Sequence, residues 1–281
     1  MNMIEKVRSA VDYIERHLAE DLDLDRIAAA LHYSKYHLHR AFSATVGLTI
    51  HDYLKRRRLT EGARRLIESD QPILEIALTS GYESQQAFSA IFKEMYKLSP
   101  GQFRERGVFY PLQLRFDFKG SFAILDGEEK DLYSLIRPGT EDDIPCWMDL
   151  VYLVVDGFPF LQEEEHIGAI KESIRRKQAF ILKDGGIAAG VMQFSADTGI
   201  IDFLGIHPLY HRTGVAGALI AKALDQVSPE QEYIRTTTFR DGDKANTGYR
   251  KMLSQLGFIE DELLIEYGYP TQQFILPVEK I

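Results

Sequence analysis

The sequence predicts two domains of different class: an all-α N-terminal half built on two helix-turn-helix units, and an α/β C-terminal half. Three observations lead there. The chain has 281 residues, enough for about two domains at roughly 150 residues each. Apolar residues step by three and four through the first part of the chain and give way to short alternating runs later. The halves also differ in charge: residues 1–107 hold 16 Lys/Arg against 15 Asp/Glu, and residues 108–281 hold 17 against 27. The expected boundaries are 1–107, a connector at 108–132 with one short strand around Leu112 to Phe118, and 133–281.

Composition sets the limits. With 45% hydrophobic and 27% charged residues, the chain has the material for buried cores and lacks the composition of a disordered protein. Its longest apolar runs, such as Leu150 to Val155, fall far short of the roughly 18 residues of a membrane span, so no membrane partner is expected. Glu5, Lys6 and Arg8 interrupt any apolar signal core. Cys146 is the one cysteine. It excludes an internal disulfide framework and points to the cytoplasm. A net charge of −9 argues against nucleic acid as a partner of the average surface. Residues 35–65 run against that average, with Lys35, Arg40, Lys55, Arg56, Arg57, Arg58, Arg64 and Arg65 opposed only by Asp52 and Glu61. This stretch fits either a phosphate-facing surface, with Arg57 among the contacts, or a solvated helix face.

The helices of the first half follow in order. Ile4, Val7, Val11, Ile14 and Leu18 form one amphipathic stripe. Asp23 is a plausible N-cap for a short second helix through Ile27, Ala28 and Leu31. Ser34 caps a third, with Leu38 and Phe42 inward and Gly47 at its end. Thr49, with Asp52 three residues on, starts a longer helix reaching Ile67, and Pro72 in a first-turn position starts another. The pattern then repeats: Ile27-Ala28, Ser34, Leu38 and Phe42 are matched by Ile76-Ala77, Ser84, Phe88 and Phe92. Two helix-turn-helix units joined by a long helix give this spacing, as does an ordinary helical bundle.

Three stretches, HYSKYHLHRAF at 32–42, RRRLTEGARRL at 56–66 and PILEIALTSGYESQQAFSAIFKEMYKLSPGQFR at 72–104, resemble the DNA-binding domain of the AraC/XylS family. The resemblance implies two recognition helices in successive major grooves of double-stranded DNA. By position, Tyr36, His39 and Arg40 would meet bases or backbone from the first helix, and Gln85, Gln86 and Ser89 from the second. The residue types suit the task, because Arg reads guanine and Gln reads adenine bidentately. Ala90 departs from the arginine that relatives often carry, which predicts weaker readout by the second helix.

In the second half, SLIRP (134–138) reads as a strand, and Thr140 with Asp143 as a capping box opening a helix through Trp147 and Leu150. Ala179–Leu182 and Ile187–Phe194, separated by Lys-Asp-Gly-Gly, read as a hairpin. Ile200–Ile206 is a third strand, 217–227 a helix, Tyr233–Phe239 a strand, 247–256 a helix, and 263–267 and 274–276 closing strands. The stretch LGIHPLYHRTGVAGALIAKAL (204–224) carries a strand into a glycine-containing loop that opens a helix. Free amides at such a helix start seat a pyrophosphate well.

With IRPGTEDDIP at 136–145, Gly190, and NTGYRKMLSQLGF at 246–258, this stretch resembles the GCN5-related N-acetyltransferase (GNAT) superfamily, whose sheet is mixed and mostly antiparallel. The resemblance implies acetyl-CoA as cosubstrate or ligand. Leu204 and Ile206 would pair through their backbones with pantetheine. The amides of Arg212, Thr213, Gly214, Val215, Ala216 and Gly217 would hold pyrophosphate, and Asn246 would contact the cofactor arm. His211 stands at the usual Gln/Arg position. Leu253 stands where many relatives have the tyrosine that protonates the departing thiolate, and Tyr249, one turn earlier on the same helix face, is the candidate to stand in for it. Asp202, expected on the pleat face of Leu204 and Ile206, is the candidate general base, or else an ordinary strand-end carboxylate. His207 and His211 are separated by Pro208, and no metal site is expected. Glu163, Glu164 and Glu165 suggest solvated surface or an attraction for an amine.

Three readings follow: a DNA-binding transcription regulator whose GNAT domain senses acetyl-CoA and slowly acetylates a small amine; an active N-acetyltransferase of a small amine or antibiotic whose DNA-binding module controls its own regulon; and a catalytically dead GNAT fold used to form a homodimer.

Overall fold

The computed structural model describes residues 3–118, 131–154, 163–266 and 269–278. The chain divides into two compact units, one within Met1–Phe118 and one within Lys119–Val154 and Leu161–Ile281.

The N-terminal unit is helical. Helix α1 (Met3–Arg16) buries Val7, Ala10, Val11 and Ile14, and α2 (Leu24–Ala30) starts where the Asp23 carboxylate accepts the Arg26 N–H. Then come α3 (Lys35–Val46), α4 (Ile50–Glu68), α5 (Ile73–Thr79), α6 (Gln85–Tyr96) and α7 (Pro100–Arg106). The repeat extends beyond the core into the caps. Ser34 and Ser84 are the N-caps of α3 and α6, though only Ser84 makes the side-chain bond. Gly47 and Lys97 end the same helices in left-handed conformations, and Thr49 and Ser99 cap α4 and α7 by accepting the amides of Asp52 and Gln102. Each such cap is worth about 0.5–2 kcal/mol, so the two units are specified locally as well as by their shared core. Pro72 is itself the N-cap of α5 and stands outside the helix.

The strand expected around Leu112 to Phe118 is absent. This segment is extended chain without a strand partner, and it buries Tyr110, Leu112, Phe116 and Phe118. Three of its amides are satisfied by side chains of α4: the Thr60 hydroxyl accepts from Leu112 and Gln113, and the Tyr53 hydroxyl from Phe116. Alternating apolar residues suit such a strap as well as they suit a sheet. The rest of the expected connector, 119–130, and Tyr267 of a closing strand lie outside the described residues.

The C-terminal unit is a seven-stranded sheet in the order β1-β2-β3-β4-β5-β7-β6. SLIRP is not a strand: α8 (Leu132–Leu135) takes its first half, and β1 is only Arg137–Pro138. The Thr140/Asp143 capping box is present and leads into α9 (Ile144–Val154). A helix the sequence did not announce, α10 (Glu163–Arg175), contains the acidic cluster. Strands β2 (Ala179–Asp184) and β3 (Ile187–Ser195) form the hairpin, followed by β4 (Ile200–Ile206), α11 (Val215–Leu224), β5 (Tyr233–Phe239), α12 (Tyr249–Gln255), β6 (Ile259–Glu266) and β7 (Tyr269–Pro277). All pairings are antiparallel except β4 with β5. Helix α11 crosses β3 at Gly190, where a Cβ would lie 2.5 Å from a Val215 methyl. Only glycine lets the helix sit that close.

Candidate functional site

Two surfaces merit attention, one in each unit. On the N-terminal unit, α3 buries Leu38 and Phe42 and turns Lys35, Tyr36, His37, His39 and Arg40 outward. Tyr36 is 65% exposed, and the Arg40 guanidinium lies 5.6 Å from the centre of its ring. The corresponding face of α6 exposes Gln85, Gln86, Ala87 and Ala90, with Ser89 half-buried. Five of the six expected DNA-facing residues are therefore exposed, on two helices set fifty residues apart in one repeat.

The basic run of α4 is another matter. Arg57, expected at phosphate, is buried. Its Nε and Nη2 donate to the two carboxylate oxygens of Glu15 at 2.8 Å, Nη2 also reaches Glu61 at 3.0 Å, and Nη1 donates to the Gln113 carbonyl at 3.0 Å. Burial alone would lower its pKa, yet the Glu15 carboxylate holds it above the ordinary arginine value. Arg58 donates to the carbonyls of Leu18 and Glu20, and Arg56 is buried. Arg57 and Arg58 thus tie α4 to α1 and to the turn that follows it, and Arg57 is not available to phosphate.

On the C-terminal unit, β4 and β5 share a single register pair, Ile200 with Arg235. Arg235 N–H donates to the Gly199 carbonyl and the Thr236 hydroxyl to the Ile201 carbonyl, and beyond these β4 continues without a backbone pair to β5 among the described residues. On its other side β4 pairs with β3, and the His207 amide donates to the Ala189 carbonyl. Alternate residues of an antiparallel ladder exchange bonds. By that alternation residues 203, 205 and 207 face β3, whereas Leu204 and Ile206 turn their backbone groups toward the side that β5 has left. The Ile206 carbonyl there is taken by the His211 ring, so the Leu204 groups and the Ile206 amide remain for an extended amide-bearing arm.

The strand end runs into a tightly held turn. His207 is buried and its Nδ1 accepts the Leu209 amide; burial lowers its pKa to about 4. The buried Tyr210 hydroxyl donates to Asp184 at 2.7 Å, and the Tyr210 carbonyl accepts both the amide and the hydroxyl of Thr213. His211 Nε2 donates to the Ile206 carbonyl at 3.0 Å. Gly214, at φ +87°, is the N-cap of α11. The Ala218 amide is the first to find an i−4 carbonyl, at Gly214, so those of Val215, Ala216 and Gly217 are left at the positive end of the helix. Of the expected phosphate-binding amides, that of Thr213 is already taken. Sequence reasoning missed Tyr210 and Asp184, because a bond across 26 residues leaves no spacing signal.

The remaining candidates are more scattered. The Asn246 side-chain oxygen accepts the amides of Gly248 and Tyr249 and so caps α12, leaving its NH₂ for a ligand. Tyr249 is half-buried in the first turn of α12, and Leu253 is fully buried one turn on. The β3–β4 register shifts between Gln193 and Phe194, placing Asp202 as the extra residue of a bulge. That bulge interrupts the alternation that would put Asp202 on one face with Leu204 and Ile206. Its side chain is largely exposed, but partial burial still raises its carboxyl pKa.

Comparison with known proteins agrees with this division. Residues 27–106 match the family model described as a helix-turn-helix domain, and residues 159–266 that of an acetyltransferase (GNAT) domain. The chain is 44% identical over 89 residues to the probable transcription factor PqrA of Proteus vulgaris, covering 32% of this chain and 73% of PqrA. It is 39% identical over 98 residues to the HTH-type transcriptional regulator YbfP of Bacillus subtilis, covering 35% of this chain but only a third (33%) of YbfP. A GNAT-family acetyltransferase of Bacillus cereus overlays 52% of this chain and 97% of its own, at 18% identity and a TM-score of 0.39. The chain thus belongs to the AraC-type DNA-binding transcription regulators through its N-terminal unit, and its C-terminal unit is a GNAT domain.

Proposed function

We propose that this regulator uses its GNAT domain to bind acetyl-CoA, that binding tunes its hold on DNA, and that the acetyl group passes slowly to a small amine. The observation that carries the reading is the open edge of β4 at Leu204 and Ile206, leading directly into the unpaired amides of 215–217. The first suits the amides of a pantetheine arm. The second suits a pyrophosphate. Slow turnover is expected because Leu253 is sealed in the core where a thiolate-protonating hydroxyl would be needed, and a positioned acid contributes about 10²–10⁴-fold. A sensing role requires only that acetyl-CoA bind the DNA-competent and DNA-incompetent states unequally.

The test is fluorescence anisotropy of the intact chain on duplexes selected from a random pool, with and without saturating acetyl-CoA. Affinity should fall steeply with salt as counterions are displaced, and acetyl-CoA should change it by about 5- to 150-fold. Unchanged affinity would remove the sensing role, and the absence of any salt-dependent binding would remove the DNA-binding reading.

A further inference from the structure

Helix α10 brings to the sheet a histidine that no sequence motif singles out. His166 packs edge-on against Phe203 of β4, with ring centres 5.6 Å apart and planes at 71°. Phe203 directly follows the bulged Asp202, at the start of the stretch where β4 has parted from β5. The His166 Nε2 is buried without a hydrogen-bond partner. No hydrogen bond engages Nδ1 among the described residues. In the neutral tautomer that carries its proton on Nε2, the Nδ1 lone pair is able to accept one.

The two faces of the sheet differ in what they leave open. On the α11 face, Val215 and Leu219 close down on Gly190, and Ile206 packs into the same place. An acceptor reaching a thioester laid along the open β4 edge is therefore left with the opposite face. There α10 packs against β3, with Ser173 accepting from Gln193 at 3.0 Å. Burial lowers the His166 pKa, so the imidazole is neutral at physiological pH and able to accept a proton. The other titratable groups on the elements around it are Glu163, Glu164, Glu165, Lys171, Glu172 and Arg175 of α10, Cys146, Asp149 and Tyr152 of α9, and Asp202 of β4; among the described residues none of them hydrogen-bonds it. Glu163 lies within hydrogen-bonding reach of Tyr152 and raises the pKa of that phenol to about 12, together with burial, the leading cause. Glu163, Glu164 and Glu165 are exposed in the turn just before His166 and, with Glu172, outnumber Lys171 and Arg175 of the same helix, which favours a cationic acceptor.

We propose that His166 is the general base for acetyl transfer to a primary amine carrying further positive charge, a polyamine being the simplest class. The inference rests on the acetyl-CoA reading above. The amine lone pair forms an N–C bond to the thioester carbonyl and the C–S bond breaks. The proton released from the amine nitrogen passes to His166 Nδ1, and the thiolate leaves and takes a proton from water.

The experiment follows thiol release from acetyl-CoA by the full chain with spermidine, and with benzylamine as the singly charged control, between pH 5 and 8.5. Wild type, His166→Gln and Asp202→Asn are compared, and calorimetry measures acetyl-CoA binding on the same samples. Expected is about a 10²-fold loss of kcat in His166→Gln, with acetyl-CoA affinity within twofold of wild type, spermidine favoured over benzylamine, and a wild-type acidic limb below pH 6.5 that the variant lacks. Equal kcat in wild type and His166→Gln, or the loss falling on Asp202→Asn alone, would overturn the assignment. So would a wild type that binds acetyl-CoA but releases no thiol, which leaves the binding reading intact. A wild type that binds no acetyl-CoA would fail the underlying reading as well.

Discussion

Arg40 and Arg57 belong to the same basic stretch, yet the structure gives them opposite work. Arg40 stands exposed beside Tyr36, while Arg57 is buried in a bidentate pair with Glu15. Net charge along a sequence cannot separate these cases, because the partner of Arg57 lies 42 residues away. Their variants should differ accordingly. Breaking a buried, hydrogen-bonded pair leaves Glu15 uncompensated, so Arg57→Ala should cost about 3–5 kcal/mol, read by urea unfolding of the N-terminal transition. Arg40→Ala should leave that transition in place, cost about 1–3 kcal/mol of DNA binding, and relax selectivity at one base position. Should Arg57→Ala unfold like wild type and merely weaken DNA binding on all sequences, the phosphate role would be restored. Tyr36, His39, Gln85 and Gln86 were legible for a simpler reason: the apolar spacing of Leu38, Phe42, Phe88 and Phe92 fixes which residues of each helix must point outward.

Among the elements, those with local signals were readable in advance. The helix-turn-helix repeat carries caps, left-handed ends and core positions at one offset, so each reinforces the others. Helix α10 carries almost none of this; Ile170 is its single fully buried residue, and three glutamates open it. The bulge at Asp202 and the parting of β4 from β5 are likewise invisible, since both depend on the register of neighbouring strands and not on composition. The turn after β4 yields a pH prediction. His207 is buried and neutral, and its pKa of about 4 lies below the ordinary 6.5. Protonation therefore favours the opened turn. The contribution of His207 to stability is complete above about pH 6.5 and is lost as pH falls toward 4. The urea midpoint of the C-terminal transition should drop between pH 7.5 and pH 5, and His207→Asn, which keeps an acceptor for the Leu209 amide, should reduce that drop. An identical drop in the variant would show that other groups carry it.

Over the whole molecule, the charge contrast between the halves matches the division of labour. The near-neutral N-terminal half exposes Arg40 on α3 and Lys93 on α6, while the acidic C-terminal half holds a helix start with unpaired amides beside the end of β4. The central claim is that this helix start holds the pyrophosphate of acetyl-CoA, and Gly214→Asp addresses it at one position. An added Cβ there meets only Leu132, at 3.6 Å, and aspartate tolerates left-handed backbone better than most residues. The variant should therefore fold. Its carboxylate would take up the free amides of 215–217 and repel a phosphate from the same place. The most direct measurement is calorimetric titration of the intact wild type and of Gly214→Asp with acetyl-CoA. The account predicts saturable binding by the wild type and none detectable by a variant that remains folded, and it is contradicted if the folded variant binds acetyl-CoA as tightly as the wild type.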